Sequence, residues 1–232
     1  GLHVHIGAGD SIMEPVYGLK NLTGRQHTRP DVFTWSPDRV AAVREADRQE
    51  FEVIRKLPLL WYVFERVFDA MMTPSRRKNA AGYARSIALA SGQSFWSPEY
   101  VDAKVQRLAA LEFQEFPDRS LWESNAQYIA DIVTPGRAKV NIGSMDYHGT
   151  VEFRHMGGTL NGKLITHWIR LLHDVFRWAA TPGQSPPVRW YSGELALTAF
   201  WRTLGGVSLE QRNYWRSRIR TLGYLSQPEE HE

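Results

Sequence analysis

Two histidines at the start of the chain and a glutamate–arginine pair late in it have the residue types and spacing for metal or phosphate chemistry. His3 and His5 stand two residues apart, and so do Glu152 and Arg154. Side chains two apart in a β-strand point to one face of the sheet, and the intervening residues here are apolar. Imidazole and carboxylate groups bind divalent metals, and a guanidinium clamps phosphate oxygens. The pattern predicts two strands, each with one polar and one apolar face.

A third segment, residues 137–142, alternates in the same way. It places Arg137, Lys139 and Asn141 on one face with apolar residues between them. A short glycine-containing connection leads on to residues 150–156, and this arrangement predicts a β-hairpin. If the strands share a sheet, several cationic groups surround one carboxylate. A nucleoside triphosphate with its magnesium ion is a ligand that such a face could hold.

Each of these features also has a plainer interpretation. His3 and His5 could lie on a strand face that simply meets solvent, and Glu152 with Arg154 could be a surface salt bridge. The neighbouring cationic side chains could likewise be solvated. Without further information, the metal or phosphate interpretation of each pair remains one of two alternatives.

Further basic groups lie outside the predicted sheet. Arg76 and Arg77 follow Pro-Ser in a turn and form either an anion-binding pair or a solvated one. The last predicted helix carries four arginines with two interleaved aromatic residues, which suits either a nucleic-acid surface or a solvated amphipathic helix. The basic residues of this helix are Arg212, Arg216, Arg218 and Arg220. Three other histidines are interpreted as structural: His155, His167 and His173.

Composition restricts the class of protein only broadly. The 232 residues are 43% hydrophobic and 23% charged, which is ordinary for a globular protein. No apolar run approaches the roughly 18 residues that a membrane span needs, so we expect no membrane insertion. The absence of cysteine excludes disulfides and thiol catalysis and is compatible with the cytoplasm, where we expect the protein. A net charge of +3 favours anionic ligands without specifying nucleic acid.

Helix signals dominate the remainder, so the predicted fold class is α+β. Ser36-Pro37 predicts a helix start, and Pro58 is expected to break or kink the helix before a second one runs to about residue 72. Asn161 is predicted to cap a helix with one apolar stripe, and Ser208 with Gln211 has the pattern of a capping box. The other predicted helices cover residues 80–90, 97–116, 194–204 and 208–222.

Several of these segments resemble, in order, motifs of the amidoligase family among the glutamine synthetase-like carboxylate–amine ligases. Residues 1–6 resemble that superfamily's Gly-Leu/Met-His-x-His strand. The later segments that carry the resemblance are residues 74–77, 137–141, 148–154, 158–161 and 168–171. The resemblance spans about residues 3–176. It implies an antiparallel sheet of glutamine synthetase-like type, with one polar catalytic face and helices packed on the other.

The resemblance also implies an activity, a cofactor set and residue roles. A carboxylate of a peptide or protein would attack the γ-phosphate of ATP, and an amine would capture the acyl phosphate to form an amide. His3 and Glu152 would bind Mg²⁺, and Arg154 with Arg137 would serve catalysis by neutralising phosphoryl charge. The residues implied in binding ATP are His5, Arg76, Arg77, Lys139 and Asn141. A homo-oligomer would be compatible with this family.

One departure from the family leaves the activity open. The family's early strand with two alternating glutamates has no counterpart here, since Glu50 and Glu52 have the spacing but lie in a predicted helix. We therefore expect residues 1–181 to be a catalytic domain that lacks an upstream part, followed by a helical extension over 182–232. The alternatives are a catalytically degenerate relative with a structural or binding role and, less favoured, a nucleic-acid-binding protein.

Overall fold

The sheet and most of the helices expected from the sequence are present in a computed structural model of the protein. The structure describes residues 2–7, 36–77, 84–87, 98–112, 138–142, 144, 150–187, 189 and 191–223. Within these residues a three-stranded antiparallel sheet packs with five α-helices of at least 12 residues. The α+β class is confirmed.

The helices fall into a long N-terminal one, a short second one and three towards the C-terminus. They are α1, Pro37–Ala70; α2, Pro98–Ala109; α3, Gly162–Ala180; α4, Gly193–Leu204; and α5, Leu209–Leu222. A single 3₁₀ turn, Pro74–Arg76, follows α1. None of the helices in the described part of the chain combines the length and apolar character needed to cross a membrane.

The sheet consists of β1, Val4–Gly7, β2, Val140–Asn141, and β3, Thr150–Phe153, in the order β1-β3-β2. The strands are shorter than the alternation predicts, but the antiparallel pairing of β2 with β3 confirms the hairpin partners. Val140, Val151 and Phe153 are fully buried on the apolar face and belong to the core formed with the helices. The opposite face carries the polar residues.

Helix α1 passes through Pro58 without ending there, so the predicted break is wrong. A proline inside a helix removes one backbone hydrogen bond and is tolerated only where tertiary packing offsets the loss. Here every described residue from Lys56 to Met72 is buried, and the burial of this apolar segment stabilises a continuous helix.

Two other helix predictions need correction. Residues 84–87 lie within the helix predicted over 80–90, but they are not helical, and Arg85 instead forms a parallel β-bridge with Ala138. The rest of that predicted helix lies outside the described residues. Helix α2 ends at Ala109, several residues before the expected Phe116, although it begins after Ser97 as predicted.

The caps of the C-terminal helices follow the sequence signals only in part. The Asn161 side chain accepts a hydrogen bond from the Leu164 amide at 3.0 Å, as predicted. Ser208 Oγ accepts one from the Gln211 amide at 3.2 Å. The Gln211 side chain, however, donates to the His167 carbonyl at 2.5 Å and so does not complete the capping box. Gln211 instead joins α5 to α3.

The two C-terminal helices contribute to the same hydrophobic core as α1 and α3. Phe200 of α4 meets Phe68 of α1 edge-on, with ring centroids 5.1 Å apart. Trp215 of α5 meets Trp168 of α3 in the same way at 6.2 Å. The segment expected as an extension is thus packed directly on the elements that support the sheet.

Candidate functional site

The polar face of the sheet is centred on Glu152, in the middle strand. The strand register places His5 of β1 directly opposite Glu152 on one side and Asn141 of β2 directly opposite it on the other. Residues opposite each other in neighbouring strands have side chains about 5 Å apart on the same face. The Glu152 side chain is only 6% exposed, so its carboxylate lies under its neighbours.

Four side chains converge on the two carboxylate oxygens. Arg154 donates from Nε to Oε1 and from Nη2 to Oε2, both at 2.7 Å, which is a bidentate fork. Asn141 Nδ2 donates to Oε2 at 3.0 Å. His3 Nδ1 lies 2.9 Å from Oε1, and His5 Nε2 lies 3.8 Å from the same atom. The predicted proximity of the early histidines to the late Glu–Arg pair is confirmed.

These contacts set the ionisation of the carboxyl group. Partial burial alone would raise the pKa of Glu152, but the hydrogen bonds from Arg154 and Asn141 and the positive charge of Arg154 outweigh it. The pKa of Glu152 is therefore below its ordinary value. The carboxylate is held ionised, and its negative charge is balanced within the site.

The accessible side of this site is formed by the histidines. The His3 and His5 side chains are 44% and 41% exposed, whereas Arg154 is 17% exposed. His5 Nδ1 also lies 3.0 Å from the Thr150 hydroxyl, and this contact orients its ring. Thr150 was not predicted as a site residue, although it stands two residues before Glu152 on the same face. A ligand approaching from solvent would meet the two imidazoles first.

The donor set of the described residues does not fit Mg²⁺. Magnesium prefers near-octahedral oxygen ligands at about 2.0–2.1 Å. The single carboxylate here is bound through both oxygens to a guanidinium, whose positive charge repels a cation. Among the described residues, no group of three or more His, Asp or Glu side chains is arranged to hold a metal ion.

Arg76 and Arg77, predicted as phosphate binders, bind backbone carbonyl groups. Arg76 donates from Nη2 to the carbonyl oxygens of Arg154 and Met156, at 2.5 and 3.2 Å. Arg77 Nε donates to the Met72 carbonyl at 2.9 Å near the end of α1. Burial explains why these arginines bind the backbone. Carbonyl groups just beyond the end of a helix or strand have no partner within that element, and where water is excluded they need a side-chain donor. Arg76 thus supports the backbone that follows β3, and Arg77 supports the C-terminal end of α1.

Lys139 is not on the polar face, contrary to the alternation of residues 137–142. The chain bends at Lys139, and its side chain is fully buried between Glu65 and Asp69 of α1, with Nζ 2.6 Å from an oxygen of each. The two acids stand one helical turn apart, so their side chains lie on the same side of α1. A buried ammonium requires such counter-charges. Its attraction to the two carboxylates therefore decides where the Lys139 side chain lies, although the strand alternation predicts the polar face. Arg137 lies outside the described residues.

His155 completes this buried cluster, as its structural interpretation suggested. Its Nε2 lies 2.5 Å from Asp69 Oδ1, and Trp61 Nε1 donates to its Nδ1 at 3.4 Å. Because Nδ1 accepts, the proton of a neutral ring is on Nε2 and is donated to Asp69. Burial and the charge of Lys139 hold the pKa of His155 below its usual value. We refer to Glu65, Asp69, Lys139 and His155 as the buried charge cluster.

The charges of the cluster stabilise one another. Burial by itself would raise the pKa of Asp69 and lower that of Lys139. The attraction between the two groups and their hydrogen bonds outweigh burial, so the pKa of Asp69 is lowered and that of Lys139 is raised. The sequence carried one signal for this cluster: Glu65, Arg66 and Asp69 are the charged residues in an otherwise apolar stretch, residues 57–72.

The arginines of α5 are also partly used within the fold. Arg212 Nε donates to the Val207 carbonyl at 3.0 Å, and Arg218 Nε donates to the Met71 carbonyl at 2.7 Å. Arg216 and Arg220 are exposed. The amphipathic helix with inward-facing aromatic residues thus accounts for much of this pattern, because Trp215 is fully buried.

Comparisons with protein-family models, with curated proteins and with solved structures find no match to this chain.

Proposed function

We propose that the chain is part of an ATP-dependent carboxylate–amine ligase of the amidoligase type. The observation that supports the proposal is the convergence on Glu152 of His3 and His5 from β1 and its start, and of Arg154 from the end of β3. These are the residues that the family resemblance implies for metal and phosphate binding. The half-exposed imidazoles and the guanidinium form a donor-rich surface on which a polyanion can be bound.

The proposed reaction has two steps. A substrate carboxylate oxygen attacks the γ-phosphorus of ATP, the bond to the β–γ bridging oxygen breaks, and ADP leaves with that electron pair. An amine nitrogen then attacks the acyl carbon of the acyl phosphate, and inorganic phosphate leaves with loss of one proton from the nitrogen. Phosphoryl transfer depends mainly on positioning and charge neutralisation, which histidines and an arginine supply without a protein nucleophile.

The proposal has a specific requirement at Arg154. Its Nε and Nη2 donate to Glu152, so phosphoryl oxygens have to be bound either by the other N–H groups of the guanidinium or in exchange for the carboxylate. It also requires that oxygen ligands for Mg²⁺, if the metal is used, come from residues other than those described here. Both requirements follow from the contacts of Glu152, whose two oxygens are occupied by Arg154.

The test is ADP release by the full-length protein with ATP and Mg²⁺, screened against panels of amines and of peptide carboxylates. Loss of one preorganised charge-stabilising donor typically reduces turnover by about 10²–10³-fold, which is the expected effect of Arg154→Ala. Arg177→Ala is the matched control, since Arg177 is an exposed arginine paired with Asp174 of its own helix. ADP release that is unchanged in Glu152→Ala would refute the site assignment.

The fork between Arg154 and Glu152 favours a second candidate, a non-catalytic relative in which the polar face is a structural or ligand-binding element. In that case both oxygens of Glu152 remain occupied and no phosphoryl transfer takes place. The same assay separates the two candidates. The non-catalytic protein releases no ADP above buffer with any substrate pair, and Glu152→Ala reduces its thermal stability without changing that background.

A further inference from the structure

One carboxylate oxygen in the interior joins the two segments that supply the donors to Glu152. Asp69 Oδ1 lies 2.6 Å from Lys139 Nζ and 2.5 Å from His155 Nε2. Lys139 immediately precedes β2, and His155 lies two residues beyond Phe153, where β3 ends. Both contacts are fully buried, and Asp69 belongs to α1, which is remote in sequence from either strand.

The donors of the polar face stand next to these anchored residues. Asn141 is two residues beyond Lys139, and Arg154 immediately precedes His155. The Arg154 amide donates to the Lys139 carbonyl at 2.8 Å, which extends the pairing of β2 and β3 by one step. Displacement of Lys139 would therefore move Asn141 through the chain and Arg154 through this hydrogen bond.

Strand β2 is too short to define its own position. It consists of two residues, Val140 and Asn141, and the hydrogen bond between the Arg154 amide and the Lys139 carbonyl adds one further step of pairing with β3. A slip of one residue in such a pairing turns every side chain to the opposite face, so a short strand needs an additional restraint. The β-bridge between Ala138 and Arg85 is one restraint. The buried charge cluster is another, because moving Lys139 by one position would separate its ammonium from two buried carboxylates.

We propose that Asp69, acting through Lys139 and His155, is the positioning residue that fixes the strand register by which Asn141 and Arg154 meet Glu152. Asp69 touches neither the polar face nor a ligand, so the inference does not depend on the ligase reaction. A buried ion pair contributes little net stability relative to well-packed neutral residues, whereas it can specify one arrangement of the chain. Stability and positioning can therefore be separated by experiment.

The experiment uses the full chain with the substitutions Glu65→Gln, Asp69→Asn and Lys139→Met combined. The amides keep an acceptor for the Ile87 amide, now 2.9 Å from Glu65, and for His155. The substitutions neutralise both carboxylates together with the ammonium, so the ion pairs to Lys139 are removed without leaving Glu65 or Asp69 as an unpaired charge. The matched control is Lys56→Met, because Lys56 is a buried lysine of α1 that donates to the carbonyls of Ala179 and Thr181 and reaches neither strand.

The readout is hydrogen exchange, measured by nuclear magnetic resonance, at the Asn141 side-chain amide and the Arg154 Nε–H. The backbone amide of Leu171 in α3 serves as the reference for global stability. The triple variant is expected to accelerate exchange at both site groups by about 10-fold or more relative to Leu171, because the local restraint is lost while the fold persists. Lys56→Met is expected to leave this ratio unchanged.

A folded triple variant whose ratio stays within about twofold of the wild type overturns the proposal. If that variant does not fold, Asp69→Asn alone replaces it, since it keeps the Lys139–Glu65 contact and weakens only the charge that holds both strands. An unchanged ratio in Asp69→Asn would equally contradict the positioning role. Failure of the ADP-release assay has no bearing on either outcome.

Discussion

Replacing Lys139 with methionine should be among the most damaging single substitutions in the described part of the chain. The ammonium lies 2.6 Å from both Glu65 and Asp69, and all three side chains are fully buried. Removing one partner of a buried ion pair typically costs about 3–5 kcal/mol in the free energy of unfolding. In a chain of 232 residues this corresponds to a fall in Tm of roughly 6–20 °C.

A comparison with Lys56→Met isolates the cause of that loss. Lys56 is also buried, but its ammonium donates to two carbonyl oxygens at 3.3 Å and lies 3.9 Å from Glu52. Its removal leaves no fully buried carboxylate without a counter-charge, so we expect a loss of only about 1–2 kcal/mol. Adding Glu65→Gln and Asp69→Asn to Lys139→Met should recover most of the lost stability.

The assay is urea unfolding followed by tryptophan fluorescence and by circular dichroism, with agreement between the two probes as the test of two-state behaviour. A loss below about 1 kcal/mol for Lys139→Met would refute the reasoning, since it is too small for two uncompensated buried carboxylates. A loss that the two neutralising substitutions do not reduce would also contradict it, because the damage would then come from packing.

Two further predictions concern stability. Since the pKa of His155 is lowered in the folded state, the unfolded chain takes up this proton first, and stability should fall as pH drops below about 6.5, by at most about 1.4 kcal/mol per pH unit. The measurement is urea unfolding between about pH 7.5 and about pH 5, a range that includes the ordinary pKa of histidine. The free energy of unfolding should fall with pH in the wild type and in His173→Gln, a control at an exposed histidine, but not in His155→Gln. Asn161→Ala removes the cap of α3 and should lower the free energy of unfolding by about 1 kcal/mol, measured as a shift of the urea midpoint with an unchanged m-value. An equal loss in Asn161→Asp, which keeps an acceptor oxygen, would contradict the capping explanation.

Local periodicity predicted the polar face of the sheet well. The alternation around His3, His5 and Glu152 depends only on the two-residue repeat of a strand, and the structure places these side chains on one face as expected. The cap at Asn161 was predictable for the same reason, since its acceptor and donor are three residues apart. Patterns that are complete within a few residues were therefore informative.

Predictions failed where a distant part of the chain decided the outcome. Lys139 follows the strand alternation, but two acids some 70 residues earlier provide partners that no local pattern reveals. Pro58 was expected to break α1, yet burial of the surrounding apolar residues outweighs the lost hydrogen bond. The alternation placed Glu152 and Arg154 on one face but did not reveal that the guanidinium holds both oxygens of the carboxylate.

The contact from Arg218 to the Met71 carbonyl has a practical consequence for anyone wishing to shorten this protein. This hydrogen bond links α5 to the residues that follow α1, two residues beyond Asp69. A version ending at residue 181 would lack the Arg218 guanidinium that donates to the Met71 carbonyl. It would also expose the indole of Trp168, which now packs against Trp215. Asp69 would then lie near a surface that water reaches. Asn141 and Arg154 would be positioned less firmly against Glu152, although the shortened chain would still contain every residue of the polar face.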